Sequence, residues 1–144
     1  MKLYFAPGAC SLSPHIVLRE AGQPVDLVQV DLRDKKIKEN GDFFKINPKG
    51  QVPTLETDDG FVLTEGPVIV QYIADQVPNA KLAPPTGSKE RYQVQEWLNF
   101  ITSELHKNFG ALFRPTTPDA YKEIARQTIE ARLKWVDQKL AGKN

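Results

Sequence analysis

The chain has 144 residues with 19 basic and 18 acidic side chains and 40% apolar residues, the make-up of a globular protein with a packed core. A net charge of +1 argues against a nucleic-acid or membrane-surface partner, since both call for a basic patch, and no stretch is apolar for long enough to span a bilayer. The one cysteine, Cys10, has no internal disulfide partner, so a reducing cytoplasm is the expected compartment. One cysteine and two distant histidines, His15 and His106, give no metal-ligand cluster.

Residues 2–5 form a short β-prone run stopped by Pro7 and Gly8, a strand rather than a secretion signal. Residues 11–21 are predicted as a helix, capped by Ser11 or Ser13, with Pro14 in its first turn and Gly22 after its end. Residues 25–32 alternate apolar and polar side chains as a second strand, and the β-α-β order favours parallel pairing. Residues 33–41 are charged and commit to no one structure. Residues 52–57 and 61–64, joined by Asp58, Asp59 and Gly60, carry the signal of a β-hairpin. Pro67 then opens a helix to about Asp75.

Acids outnumber bases up to Ala80, and bases outnumber acids from Lys81 onward, which points to two structural units. Pro78, Pro84, Pro85 and Gly87 mark residues 78–88 as a linker. Beyond it the pattern is wholly helical. One helix is expected over 89–113, with Val94, Trp97, Leu98, Ile101, Leu105, Phe109 and Leu112 on one face; Pro115 stops it. A second starts after Pro118 with Ala125, Ile129, Leu133, Val136 and Leu140 as its stripe. The fold class is thus an α/β thioredoxin-like domain over 1–77 (β-α-β-α-β-β-α), followed by a partial all-α domain over 89–144.

Several residues stand where chemistry is possible. Cys10 sits near a helix start, where N–H groups and the helix dipole would favour the reactive thiolate; a small buried hydrophobe is the plain alternative. Cys10 to Ser13 is also Cys-x-x-Ser, a redox motif lacking its second sulfur, suited to a mixed disulfide. Val52 precedes Pro53, so its extended backbone can pair with a peptide, or Pro53 simply starts a strand. Glu65 and Gly66 open a helix; they either cap it or hold a carboxylate and an ammonium group. Asn99, Ser103 and His106 share an uncharged polar face, a solvated surface or a site with a proton donor in His106.

Residues 2–11 (KLYFAPGACS), 47–55 (NPKGQVPTL) and 64–75 (TEGPVIVQYIAD), with Glu96-Trp97-Leu98-Asn99 and Ser103-Glu104-Leu105-His106-Lys107, closely resemble the bacterial beta-class glutathione transferases, and the likeness runs in register through all 144 residues. The resemblance implies a homodimer that uses glutathione as co-substrate and holds no permanent cofactor. It implies that Cys10 faces the glutathione sulfur and that Val52, beside a cis-Pro53, pairs with the cysteinyl backbone. Glu65 and Gly66 would hold the γ-glutamyl end and Lys35 the glycine carboxylate. Asn99, Ser103, Glu104 and His106 would complete the site, partly across the dimer, with His106 near the sulfur. Two departures stand out: Gly66 replaces the serine of many relatives outside the class, and the chain stops at Asn144, before the family's last helices.

The expected function is addition of the glutathione thiolate to hydrophobic electrophilic small molecules, a detoxification, with Cys10 and His106 as the catalytic pair. The alternatives are thiol-disulfide exchange through Cys10 and non-catalytic binding of glutathione or hydrophobic ligands.

Overall fold

Strand β1 (Lys2–Phe5) lies between a parallel neighbour, β2 (Asp26–Asp31), and an antiparallel one, β5 (Thr54–Glu56). Alternation along a strand sends successive side chains to opposite faces, and β1 shows the result: Leu3 and Tyr4 are both buried but belong to different cores. Leu3 packs with Leu18 of α1 (Leu12–Glu20), Leu55, and Ile69 and Ile73 of α2 (Gly66–Gln76). Tyr4 packs with Val30 and Phe43, its ring 5.7 Å from that of Phe43.

The computed structural model describes residues 1–37 and 41–143. The sheet has six strands in the order β4-β3-β2-β1-β5-β6, in which β3 (Lys36–Ile37) and β4 (Gly41–Asp42) are two residues each. These short strands occupy part of the uncommitted stretch 33–41, of which 38–40 lie outside the described residues. A single 3₁₀ turn, Phe43–Lys45, stands where the fold class places its second helix. The hairpin forms as its turn chemistry requires: β5 pairs with β6 (Val62–Thr64), and Gly60 takes φ +83°, a conformation that costs glycine no Cβ clash. Ser11 stands at the N-cap of α1, but its hydroxyl does not cap the helix. It accepts from the Ala6 N–H and donates to the Ala6 carbonyl, both at 3.2 Å, and so closes the turn that carries Cys10.

Contacts divide the chain into Met1–Arg91 and Tyr92–Asn144. Residues 78–88, expected as a linker, are held to the first unit by one side chain. Arg91 is buried, and its guanidinium donates to both carboxylate oxygens of Asp75 (3.0 and 2.6 Å), to the Pro84 carbonyl (2.9 Å) and to Gln71 (3.1 Å). Ser88 accepts from the Arg91 N–H at 3.1 Å and caps α3 (Lys89–Phe100).

In the second unit the helix expected over 89–113 is not uniform. Between α3 and α4 (Lys107–Phe113) the chain takes a π-helical turn, Ile101–His106. Its side chains compete for helix carbonyls: Thr102 and Ser103 donate to the Leu98 and Asn99 carbonyls, and the Asn108 amide donates to that of Glu104 at 2.7 Å. The anticipated apolar stripes are only partly buried. On α5 (Asp119–Leu140), Ala125 and Ile129 are buried, whereas Leu133 and Leu140 are exposed, as is Ile101. An aromatic cluster that the spacing did not reveal joins α3 to α5: Trp135 lies 5.3 Å from Trp97 and 4.6 Å from Phe100. Among the described residues no helix is long and apolar enough to cross a membrane.

Replacing Asp75 with asparagine leaves the buried Arg91 guanidinium without its counter-charge. The expected loss is about 2 kcal/mol in urea unfolding, less than for a fully buried pair because Asp75 is partly exposed. A loss under about 0.5 kcal/mol would mean that Pro84 and Gln71 suffice to hold Arg91.

Candidate functional site

The loop between the 3₁₀ turn and β5 is built around one buried amide. The Asn47 N–H donates to the Phe43 carbonyl at 2.9 Å, and its carbonyl accepts from the Gly50 N–H at 2.8 Å. Its side chain donates to the Gln51 carbonyl (2.9 Å) and the Thr54 hydroxyl (3.0 Å), and accepts from the Lys49 N–H (3.0 Å). The loop therefore arrives at Val52 in one fixed path. The Val52–Pro53 peptide is cis, as the resemblance implied.

Cys10 lies across from this loop. Its Sγ donates to the Val52 carbonyl at 3.4 Å. Cys10 is exposed as a residue, but partial desolvation of its sulfur pushes the thiol above the ordinary value; its own backbone N–H opposes this, and the Glu65 charge adds to it. The direction runs against the expected stabilisation of a thiolate. Cys10 precedes the helix, with Ser11 at the N-cap, and desolvation outweighs the N–H contribution.

Gly66 begins α2, and a Cβ built there would lie 3.7 Å from Pro53 Cγ, so the helix start adjoins the loop. Glu65 takes φ +70° and its side chain does not cap the helix, which removes the simple capping alternative. Its carboxylate pairs instead with the Lys49 ammonium, which also donates to the Thr64 hydroxyl at 2.8 Å. Lys35, itself at φ +54°, donates to the Gly50 carbonyl at 2.9 Å. Cys10, Val52, Pro53, Glu65 and Gly66 thus form one cluster, and Lys35 braces the loop beside it. Asn47 and Lys49 were missed as site residues. The Asn-Pro pair signals a turn, but nothing in the spacing marks Lys49 as a partner of Glu65.

Asn99, Ser103, Glu104 and His106 belong to the second unit. Asn99, Ser103 and His106 are exposed, and the last three of the four lie in the π turn, a distortion found often at functional sites. Glu104 is engaged with Arg132 of α5, whose Nε donates to its carboxylate at 2.9 Å. The Ser103 hydroxyl is turned back to the Asn99 carbonyl at 3.0 Å.

Chemically, the first unit offers a thiol, an extended backbone edge at Val52 and a charged pair at a helix start. Residues 8–76 match the glutathione S-transferase N-terminal domain. Glutathione S-transferase GstA of Escherichia coli O157:H7 is 52% identical over 140 residues, 97% of this chain and 70% of that protein. The structure of BphK, a bacterial enzyme of this kind solved as a ternary complex, is 58% identical with a TM-score of 0.97, covering 99% of this chain and 71% of its own. Two sphingomonad enzymes, one complexed with glutathione and one from Sphingomonas chungbukensis described as beta class, each share 48% identity and a TM-score of 0.95, with 99% and 71% covered. The chain belongs to the glutathione S-transferase family of enzymes, in its bacterial beta class.

Two outcomes follow from this geometry. Because partial burial and Glu65 both raise the Cys10 thiol, alkylation by iodoacetamide should require higher pH than for a free cysteine. Glu65→Gln removes a negative charge near the sulfur, so the alkylation–pH profile should shift to lower pH; an unmoved profile would remove Glu65 from the electrostatics of Cys10. Asn47→Ala strands the Lys49 N–H and loosens the Gln51 and Thr54 contacts, and should cost about 1–3 kcal/mol in thermal or urea unfolding.

Proposed function

We propose that the chain binds glutathione along the Val52 edge and presents its thiolate to hydrophobic electrophilic small molecules, as a cytoplasmic, homodimeric detoxifying transferase. The observation that carries this reading is the cluster in which the Cys10 thiol, the Val52 backbone and the Glu65–Gly66 helix start adjoin one another. A γ-glutamyl-cysteinyl-glycine peptide would lie with its cysteinyl backbone on Val52 and its γ-glutamyl end at Glu65 and Gly66. Its glycine carboxylate would lie toward Lys35. On this reading residues 1–77 are the glutathione-binding domain, and Asn99, Ser103, Glu104 and His106 are proposed as further glutathione-site residues. That the sphingomonad relative was solved with glutathione supports the choice of ligand.

In the proposed reaction the glutathione sulfur attacks an electrophilic atom of the second substrate. Free glutathione has a cysteine-like thiol pKa of about 8.5, and lowering it by about two units raises the thiolate fraction at pH 7 more than tenfold. Holding the two reactants in attack geometry contributes more. Transfer is preferred to exchange because the Cys10 Sγ already stands as a hydrogen-bond donor, to the Val52 carbonyl at 3.4 Å. A protonated thiol is a hydrogen-bond donor, able to face a glutathione thiolate, and a poor nucleophile toward a disulfide.

Calorimetric titration with glutathione, followed by conjugation of a chlorodinitroarene and reduction of a mixed disulfide, tests this reading. Saturable binding and conjugation that survives Cys10→Ala within about tenfold are expected, since one neutral donor is worth about 1 kcal/mol. Abolished conjugation together with abolished exchange would make Cys10 the nucleophile. Binding without turnover of either kind would leave a non-catalytic binder.

A further inference from the structure

The start of α2 is poor in donors for an anion. Pro67 has no N–H, and the N–H groups of Val68 and Ile69 both donate to the Glu65 carbonyl at 3.0 Å. Gly66 has no hydroxyl, so it offers one backbone N–H, which at the first position of a helix has no intrahelical acceptor. A carboxylate at this point needs a further positive group. The Lys49 ammonium stands beside it, bonded to Thr64 and Glu65, the two residues before Gly66.

We propose that Lys49 is a specificity-determining residue of the glutathione site and takes the α-carboxylate of the γ-glutamyl group. The inference rests on the glutathione reading above. The γ-glutamyl end is a zwitterion, with an ammonium and a carboxylate on one carbon. Glu65 and Lys49 present the opposite signs in contact with each other. On binding, the ligand ammonium replaces Lys49 on Glu65, and the freed Lys49 meets the ligand carboxylate beside the Gly66 N–H. One intramolecular pair is exchanged for two intermolecular ones. The exchange is cheap because both side chains are about half exposed (47% and 56%), and such pairs contribute little on their own. Lys49 thereby does the work that a hydroxyl on residue 66 would do.

The test is binding of glutathione, and of its analogue with 4-aminobutyrate in place of the γ-glutamyl residue, to the full chain and its variants. Lys49→Gln should weaken glutathione binding about tenfold, which corresponds to about 1.4 kcal/mol, and raise KM more than it lowers kcat. Lys49→Arg should stay close to the unsubstituted chain. The analogue lacks the α-carboxylate, so its affinity should not respond to Lys49→Gln. Adding Gly66→Ser to Lys49→Gln should restore part of the loss, because a Cβ there makes only an ordinary contact with Pro53. Unchanged or tighter glutathione binding by Lys49→Gln overturns the proposal and makes Lys49 a mere cover for Glu65. Equal weakening of both ligands also overturns it. If the unsubstituted chain binds no glutathione, the functional reading itself fails and takes this inference with it.

Discussion

The side-chain amide of Asn47 closes the polar interior of the first unit, and the presentation of Val52 depends on it. Its carbonyl and both sides of its amide group are committed to backbone or hydroxyl partners within seven residues. A buried amide left unpaired would cost about 1–3 kcal/mol; here, among the described residues, no buried side-chain nitrogen or oxygen lacks a partner. The loop is also pinned from below. Phe43, at its start, is fully buried against Tyr4 and Val30, and Ile46 and Val52 pack on the same cluster. Strand β1 therefore supports both faces of the arrangement, one with the helices and one with the loop.

Around this frame the charges are arranged in local pairs rather than as a field. Lys49 answers Glu65, Asp75 answers Arg91, and Arg132 answers Glu104. The first pair is open to solvent and exchangeable, the second is a buried clamp, and the third ties the π turn to α5. Negative charge from Glu65 reaches Cys10 and reinforces its protonated form. A thiol that donates to a backbone edge is also placed to donate to a charged sulfur, as the proposed transfer reading requires.

Much of the first unit was legible in the chain because its signals are local. A β-prone run before Pro7 and Gly8 marked β1, alternating side chains marked β2, Asp59-Gly60 marked the hairpin, and Pro67 marked the start of α2. The cluster of Cys10, Val52, Glu65 and Gly66 came from motif resemblance, and the structure brings these residues together. What escaped were contacts made across sequence. Neither Lys49 with Glu65 nor Arg91 with Asp75 has a spacing that announces it, since each bridges separate elements. For Cys10, a position near a helix start suggests a stabilised anion, while desolvation of the sulfur, which works against it, depends on what packs nearby. The apolar stripe expected over 89–113 was read with one helical period, which the π turn between α3 and α4 interrupts.

Six residues wound more widely than the α-helix place the residues after His106 in a different angular phase from those before Ile101. A fixed three-four spacing therefore cannot be carried unchanged from Val94, Trp97 and Leu98 across the turn to Phe109 and Leu112. Each residue of an α-helix advances the face by about 100°, so the turn acts as a hinge in sequence space rather than in the fold. Asn99 lies before this change of winding and His106 at its end.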